Sequence, residues 1–246
     1  MSAAAGPALV VELVGIPGSG KSRRARTLAE RLRERGVDVG RPQAPLAPSV
    51  PTGRRLARKT VACGATAVTE PGTAVRVLRG VLRSGQPGPG EALGRLVQWF
   101  VAEDVAARAA RRRGVSIVDE GLVQALWSIG LRGDVRPVLA ALDAAPCRHP
   151  ADLLVVVRVP PEVALTRLAG RASRHSRTQL LDEPERLAEL ERGARLLEDL
   201  VEWWSSRPPG PRAVRTLDGT EDTAPDHDRL LDRICASPAA GTRFPG

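Results

Sequence analysis

Lysine is almost absent from this chain: of 37 basic residues, 35 are arginine, and Lys21 and Lys59 are the two lysines. Tyrosine is missing altogether, methionine occurs once and phenylalanine twice, while glycine and proline reach 24 and 21. A GC-rich genome imposes a skew of this kind, and it weakens what the net charge of +9 would otherwise say. Excess positive charge ordinarily points to nucleic acid, phosphate or an acidic membrane surface. Here the arginines are spread through helical-looking segments beside Asp and Glu. The one dense run, Arg111-Arg112-Arg113, falls at an expected helix C-terminus, where cations suit the dipole. A solvated face accounts for them, and no specific nucleic-acid partner is expected.

Cysteine is scarce too. Cys63, Cys147 and Cys235 form no C-x-x-C pair and leave an odd count, which argues against a disulfide framework or a four-ligand zinc site. Cys147-x-His149 has no second pair to complete a metal site. No apolar stretch reaches the roughly 18 residues of a membrane span. The N-terminus lacks a basic leader segment, and Glu12 interrupts its apolar run. A cytoplasmic protein away from membranes is expected. With 246 residues, 42% hydrophobic and 26% charged, the chain is neither fibrous nor wholly disordered and can bury a sizeable core.

Leu9 to Val14 is a short, β-branched apolar run, followed by glycine-rich punctuation from Gly15 to Gly20 and then a helical pattern with Ala25, Leu28, Ala29 and Leu32 inward. Val37 to Val39 begins a second strand, after which Pro42, Pro45, Pro48 and Pro51 interrupt regular structure. A broken helical pattern runs from Thr52 to Leu82. A long helix over 91–113 places Leu93, Leu96, Val97, Phe100, Val101, Val105, Ala106 and Ala109 on one stripe. Val115–Val118, Asp152–Val159 and Ala213–Leu217 read as further strands. Helical pieces lie at 121–145, after Pro160-Pro161, at 183–205 and at 222–235. Strands alternating with helices predict a three-layer α/β sandwich with a five-stranded, mostly parallel sheet over residues 8–237, and flexible ends at 1–7 and 238–246.

Between the first strand and first helix stands Gly15-Ile16-Pro17-Gly18-Ser19-Gly20-Lys21-Ser22, a complete G-x-x-x-x-G-K-[ST] phosphate loop in its required context. Its glycines let backbone N–H groups converge on phosphate oxygens at a helix N-terminus. Lys21 neutralises the β/γ-phosphates, and the Ser22 hydroxyl can ligate Mg²⁺. One of the chain's two lysines thus occupies the position where a compact ammonium fits better than a planar guanidinium.

With this motif the chain resembles the P-loop kinases of nucleotides and other small molecules. VPPEVALTRLAGR, carrying Arg167 and Arg171, is similar to the adenylate-kinase-like strand and helix that bear two lid arginines. The resemblance implies that Arg167 packs on adenine and Arg171 contacts ATP phosphates. Their spacing of four puts them on one helical face, and Ser173 to Arg177 extends a polar loop, so a lid is expected near 171–182.

The third strand ends in Asp119-Glu120-Gly121, carboxylates that can orient Mg²⁺ or take a proton. Asp119 is assigned to the metal with Ser22, and either Asp119 or Glu120 to the acceptor's proton. Thymidylate and other nucleoside kinases carry an acid at the equivalent place, commonly followed by Arg, and Glu120 departs from that. Hydrolytic P-loop ATPases also use an Asp-Glu pair, so a nucleotide switch working with a protein partner remains the alternative. On the acceptor side, an insertion over 41–112 carries Arg54, Arg55 and Arg58, and Gln124, Trp127 and Arg132 follow the third strand. These could hold an acceptor or be surface and core. Thr69-Glu70-Pro71-Gly72-Thr73 looks like a thymidylate-kinase motif, but some thirty residues separate it from the second strand, where that motif belongs. The expected activity is ATP- and Mg²⁺-dependent transfer of a γ-phosphoryl group to a nucleoside, nucleotide or related metabolite, by a monomer or a homodimer.

Overall fold

A computed structural model describes residues 8–46, 50–170, 181–206, 210–220 and 224–238. Strand β1 (Ala8–Val14) is the middle of a five-stranded sheet in the order β2-β3-β1-β4-β5, with β2 at Val39–Gly40, β3 at Gly114–Val118, β4 at Leu153–Arg158 and β5 at Ala213–Asp218. Every pairing is parallel; Val11 lies opposite Ile117 of β3 and Leu153 of β4. The apolar run of β1 is covered on both faces. Val11 and Leu13 pack with α1 (Lys21–Glu34) and α9 (Ala224–Cys235), whereas Val10 and Val14 face the opposite helical layer.

That opposite layer contains α4 (Pro89–Arg111), α5 (Leu122–Gly130), α7 (Pro161–Ala169) and α8 (Glu183–Ser205). Three helices flank it: α2 (Thr52–Thr69) and α3 (Pro71–Arg83) beside α4, and α6 (Arg136–Ala144) against α3. The α2–α3 break falls at Pro71, which cannot continue a helix but suits the first turn of one. The second strand starts later than the sequence predicts, at Val39 rather than Val37, and ends at Gly40, shortly before Pro42.

Two expectations need correction. The predicted stripe on α4 holds in large part, with Val105, Ala106 and Ala109 buried and Leu96, Phe100 and Val101 packed against the core, but Leu93 is exposed, and Trp99, Ala102 and Glu103 are inward as well. A helix packed against α2, α3, α5, β1 and β3 has no single apolar side. Arg112 is a staple rather than a solvated arginine, since its guanidinium is paired with Asp38 and also donates to Val115 O at 3.2 Å, joining the end of α4 to β3 and the approach to β2. No helix among the described residues is long and apolar enough to cross a membrane.

Two carboxyls lie inside the α4–α5 layer. Burial lifts Glu12 from 4.5 to about 7, opposed by backbone N–H groups of Val123, Gln124 and Leu122. Burial also lifts Glu103 from 4.5 to about 7, with the Cys147 thiol opposing and the Glu70 charge adding. Each binds its proton more tightly folded than unfolded, so its contribution is complete below about 4.5 and is lost as pH rises through about 7. The size is of the order of 3 kcal/mol per group. The melting temperature should therefore be at least about 5 °C higher at pH 5 than at pH 8, and Glu103→Gln should remove part of that difference. Identical pH dependence in variant and parent would rule Glu103 out.

Candidate functional site

All five strands point their carboxyl ends at one edge of the sheet, and the phosphate loop leaves β1 there, between β3 and β4. Ser19 N donates to Ile16 O at 3.1 Å, closing the turn. Gly18 and Gly20 have φ of +87° and +86°, a region that side chains disfavour. A β-carbon on Gly18 would also sit 2.5 Å from the Ala164 carbonyl oxygen of α7. Helix α1 starts at Lys21 with no side-chain cap, so its first amides are available to an anion. The Ser19 hydroxyl, buried in the loop, has no hydrogen-bond partner among the described residues.

Two clefts meet at this loop and share Ser22 and Glu120. The first, about 350 Å³, runs from Ile16 through Ser22 to a wall containing Arg95, Gln98, Gln124, Trp127, Arg132 and Glu189. Its polar groups are interlocked. Arg132 lies 3.0 Å from the buried carboxylate of Glu189, Gln98 donates to the Ser128 hydroxyl at 3.0 Å, and Gln124 accepts the Gly15 amide at 3.4 Å. The second cleft, about 520 Å³, lies towards β2 and includes Arg26, Arg41, Gln43, Val105 and Asp119.

Asp119 is buried; Gln43 donates to its Oδ1 at 2.6 Å, and Arg41 stands 3.6 Å from its Oδ2. Glu120 stands at the rim of both clefts. The surrounding walls desolvate its carboxyl and raise its pKa; nearby Lys21 opposes this, Asp119 adds to it, and Lys59 opposes it.

Gly15, Pro17, Gly18, Ser19, Gly20, Lys21, Ser22, Asp119 and Glu120 are thus brought to one edge. Gln124 and Arg132 line the first cleft, as does an edge of Trp127. That indole is mainly core: it is buried, and its Nε1 donates to Gly193 O at 2.7 Å. Arg167 spends its guanidinium on the carbonyls of Gly219 (2.7 Å) and Thr220 (3.0 Å), so it braces the turn after β5. Arg171 and most of the expected lid lie outside the described residues. Arg54, Arg55 and Arg58 line neither cleft. Thr69–Thr73 forms the α2–α3 joint, where Glu70 pairs with Arg148 at 2.6 Å. Arg41, Gln43, Gln98 and Glu189 escaped the sequence reading. The signal for Glu189 was an acid on the inward side of an otherwise amphipathic helix; Arg41 and Gln43 sit in a proline-rich stretch with no periodicity to read.

No protein-family model matches the chain. A thymidylate kinase from Dinoroseobacter shibae is 31% identical over 171 residues, spanning 70% of this chain and 74% of that one. Among solved structures, a deoxyadenosine kinase from M. mycoides with the products dCMP and a flexible dCDP bound aligns with a TM-score of 0.56 at 12% identity, covering 93% of this chain and 100% of that one. The same kinase with bound dATP aligns with a TM-score of 0.53 at 12% identity, covering 92% and 99%. At that identity the two structures speak for the fold.

The Arg132–Glu189 pair has a direct consequence. Arg132→Ala leaves a buried carboxylate without its cation, a change that costs about 3 kcal/mol. The urea midpoint should fall accordingly, and adding Glu189→Leu should recover most of the loss. An unchanged midpoint in Arg132→Ala would show that the pair is not a closed one.

Proposed function

Because the chain belongs to the thymidylate kinase family and is an ATP-dependent nucleoside or nucleotide phosphotransferase, we propose that its acceptor is a nucleoside hydroxyl seated in the cleft between α4, α5 and α8. The observation that carries this reading is the place of Glu120, a carboxylate at the junction of that cleft with the phosphate loop. A hydroxyl must lose a proton to attack phosphorus, and a carboxylate in that position can take it. A nucleoside monophosphate is already an anion near neutral pH, and a carboxylate beside it repels. Of the two cleft arginines, Arg132 is matched by Glu189, while Arg95 donates to the neutral Gln98.

Residues 8–237 act as one unit in this reading, with 41–112 closing the acceptor side. The loop amides of Gly15–Gly20 hold the β- and γ-phosphates. Lys21 stabilises charge on the moving phosphoryl group. Arg167 keeps the turn after β5 in place beside the nucleotide, and the phosphate-contacting role that the resemblance implies falls to Arg171. A hydroxyl and carboxylates form a hard oxygen donor set that suits Mg²⁺; Ser22 and Asp119 would hold it, Glu120 adjoining, and its charge would offset that of the phosphates. Arg41 and Gln43 fix the direction of the Asp119 carboxylate.

Thymidylate, the acceptor implied by the name of the 31%-identical relative, is the second reading. The two separate in one assay, with ATP, Mg²⁺ and either thymidine and other nucleosides or their monophosphates, products being identified by mass. Lys21→Ala should lower turnover at least about a hundredfold in a folded protein. Glu120→Gln should cost a comparable factor with a hydroxyl acceptor. If only monophosphates are phosphorylated and Glu120→Gln is harmless, the acceptor is a nucleotide. ADP formed with inorganic phosphate alone would leave hydrolysis as the activity.

A further inference from the structure

Glu12 is the one ionisable side chain in β1, a strand whose other residues are apolar. It is 3% exposed and lies inside the α4–α5 layer. Its Oε1 accepts the Val123 amide at 3.0 Å, and the amides of Leu122 and Gln124 are also turned towards it. These are the first amides of α5, the groups a helix leaves without internal partners. The residue before them, Gly121, has no side chain to cap the helix. A β-carbon there would fall 2.6 Å from both Glu12 oxygens, so glycine is what allows the carboxylate to reach the helix end.

Two links tie this cap to the chemistry. The turn it closes begins with Asp119 and Glu120. The first turn of α5 also carries Gln124, whose Oε1 accepts from Gly15 N, three residues beyond Glu12 in the same chain segment. A closed circuit therefore runs from β1 through Glu12 to the start of α5, and back through Gln124 to the first residue of the phosphate loop. Burying an ionisable group in a central strand costs stability, and here its hydrogen bonds to the α5 amides offset that cost.

We propose that Glu12 is the positioning residue that seats the α5 wall of the acceptor cleft, with the Asp119–Glu120 turn, against the phosphate loop. It acts through Val123 and Gln124 and touches neither substrate. The proposal rests on the acceptor reading above, and its test separates the two.

In Glu12→Gln and Glu12→Leu, the acceptor KM should rise about tenfold and kcat should fall, while the KM for ATP stays within about twofold. Glu12→Leu leaves the buried α5 amides without their acceptor and should melt lower than the parent, whereas Glu12→Gln keeps an acceptor oxygen and should melt close to the parent while its acceptor KM still rises, a split that a purely structural residue would not give. Amides 122–124 should exchange hydrogen faster in both variants. Wild-type acceptor kinetics in either folded variant would overturn the proposal, as would equal losses for ATP and acceptor. If the leucine variant does not fold, the glutamine variant decides alone. If the parent protein phosphorylates no nucleoside or nucleotide, the acceptor reading fails, and unchanged exchange at 122–124 would then overturn the role of Glu12 by itself.

Discussion

A phosphate loop can work only where a strand ends, a helix begins and the backbone between them is free to turn its N–H groups inward. In this chain the place is the carboxyl end of β1, and the rest of the fold is arranged around that requirement. β1 must be central, so that β3 and β4 can bring their own ends alongside. It must be apolar on both faces, because α1 and α9 cover one side and the α4–α5–α7–α8 layer the other. The loop itself is pressed by α7 at Gly18 and held by α5 through Gln124. Its geometry is therefore a property of the whole sheet.

Charge is handled locally in spite of the net +9. Three cations around the site stand near an anion: Arg132 with Glu189, Arg41 with Asp119, and Lys21 near Glu120. The strongly basic composition thus says less about the ligand than these pairings do, and a carboxylate at the mouth of the cleft says more. Arg112, one of the densest arginine run, is spent on holding α4 to β3 and Asp38.

The phosphate loop was legible because it is a local motif in a local context, and α8 was legible at both ends, with Asp182 capping through Glu185 N at 2.9 Å. What could not be read is what depends on distant partners. The stripe of α4 was legible only in part, because the helix is enclosed on several sides and buries Trp99 and Glu103 as well. Glu12 looked like an interruption of an apolar run, since its partners lie more than a hundred residues away. Arg41 and Gln43 acquire meaning only when β2 is placed beside β3. Trp127 was ambiguous by spacing, and packing against Gly193 of α8 decided for the core.

The central claim is that ATP on the phosphate loop and a nucleoside in the α4–α5–α8 cleft meet at Glu120. A bisubstrate analogue, adenosine and a deoxynucleoside joined by a chain of phosphates, measures this directly by calorimetric titration. The account predicts binding at least about a hundredfold tighter than ATP alone, because the second half binds without a second loss of translational freedom. Affinity no better than that of ATP, for every deoxynucleoside tried, would contradict it.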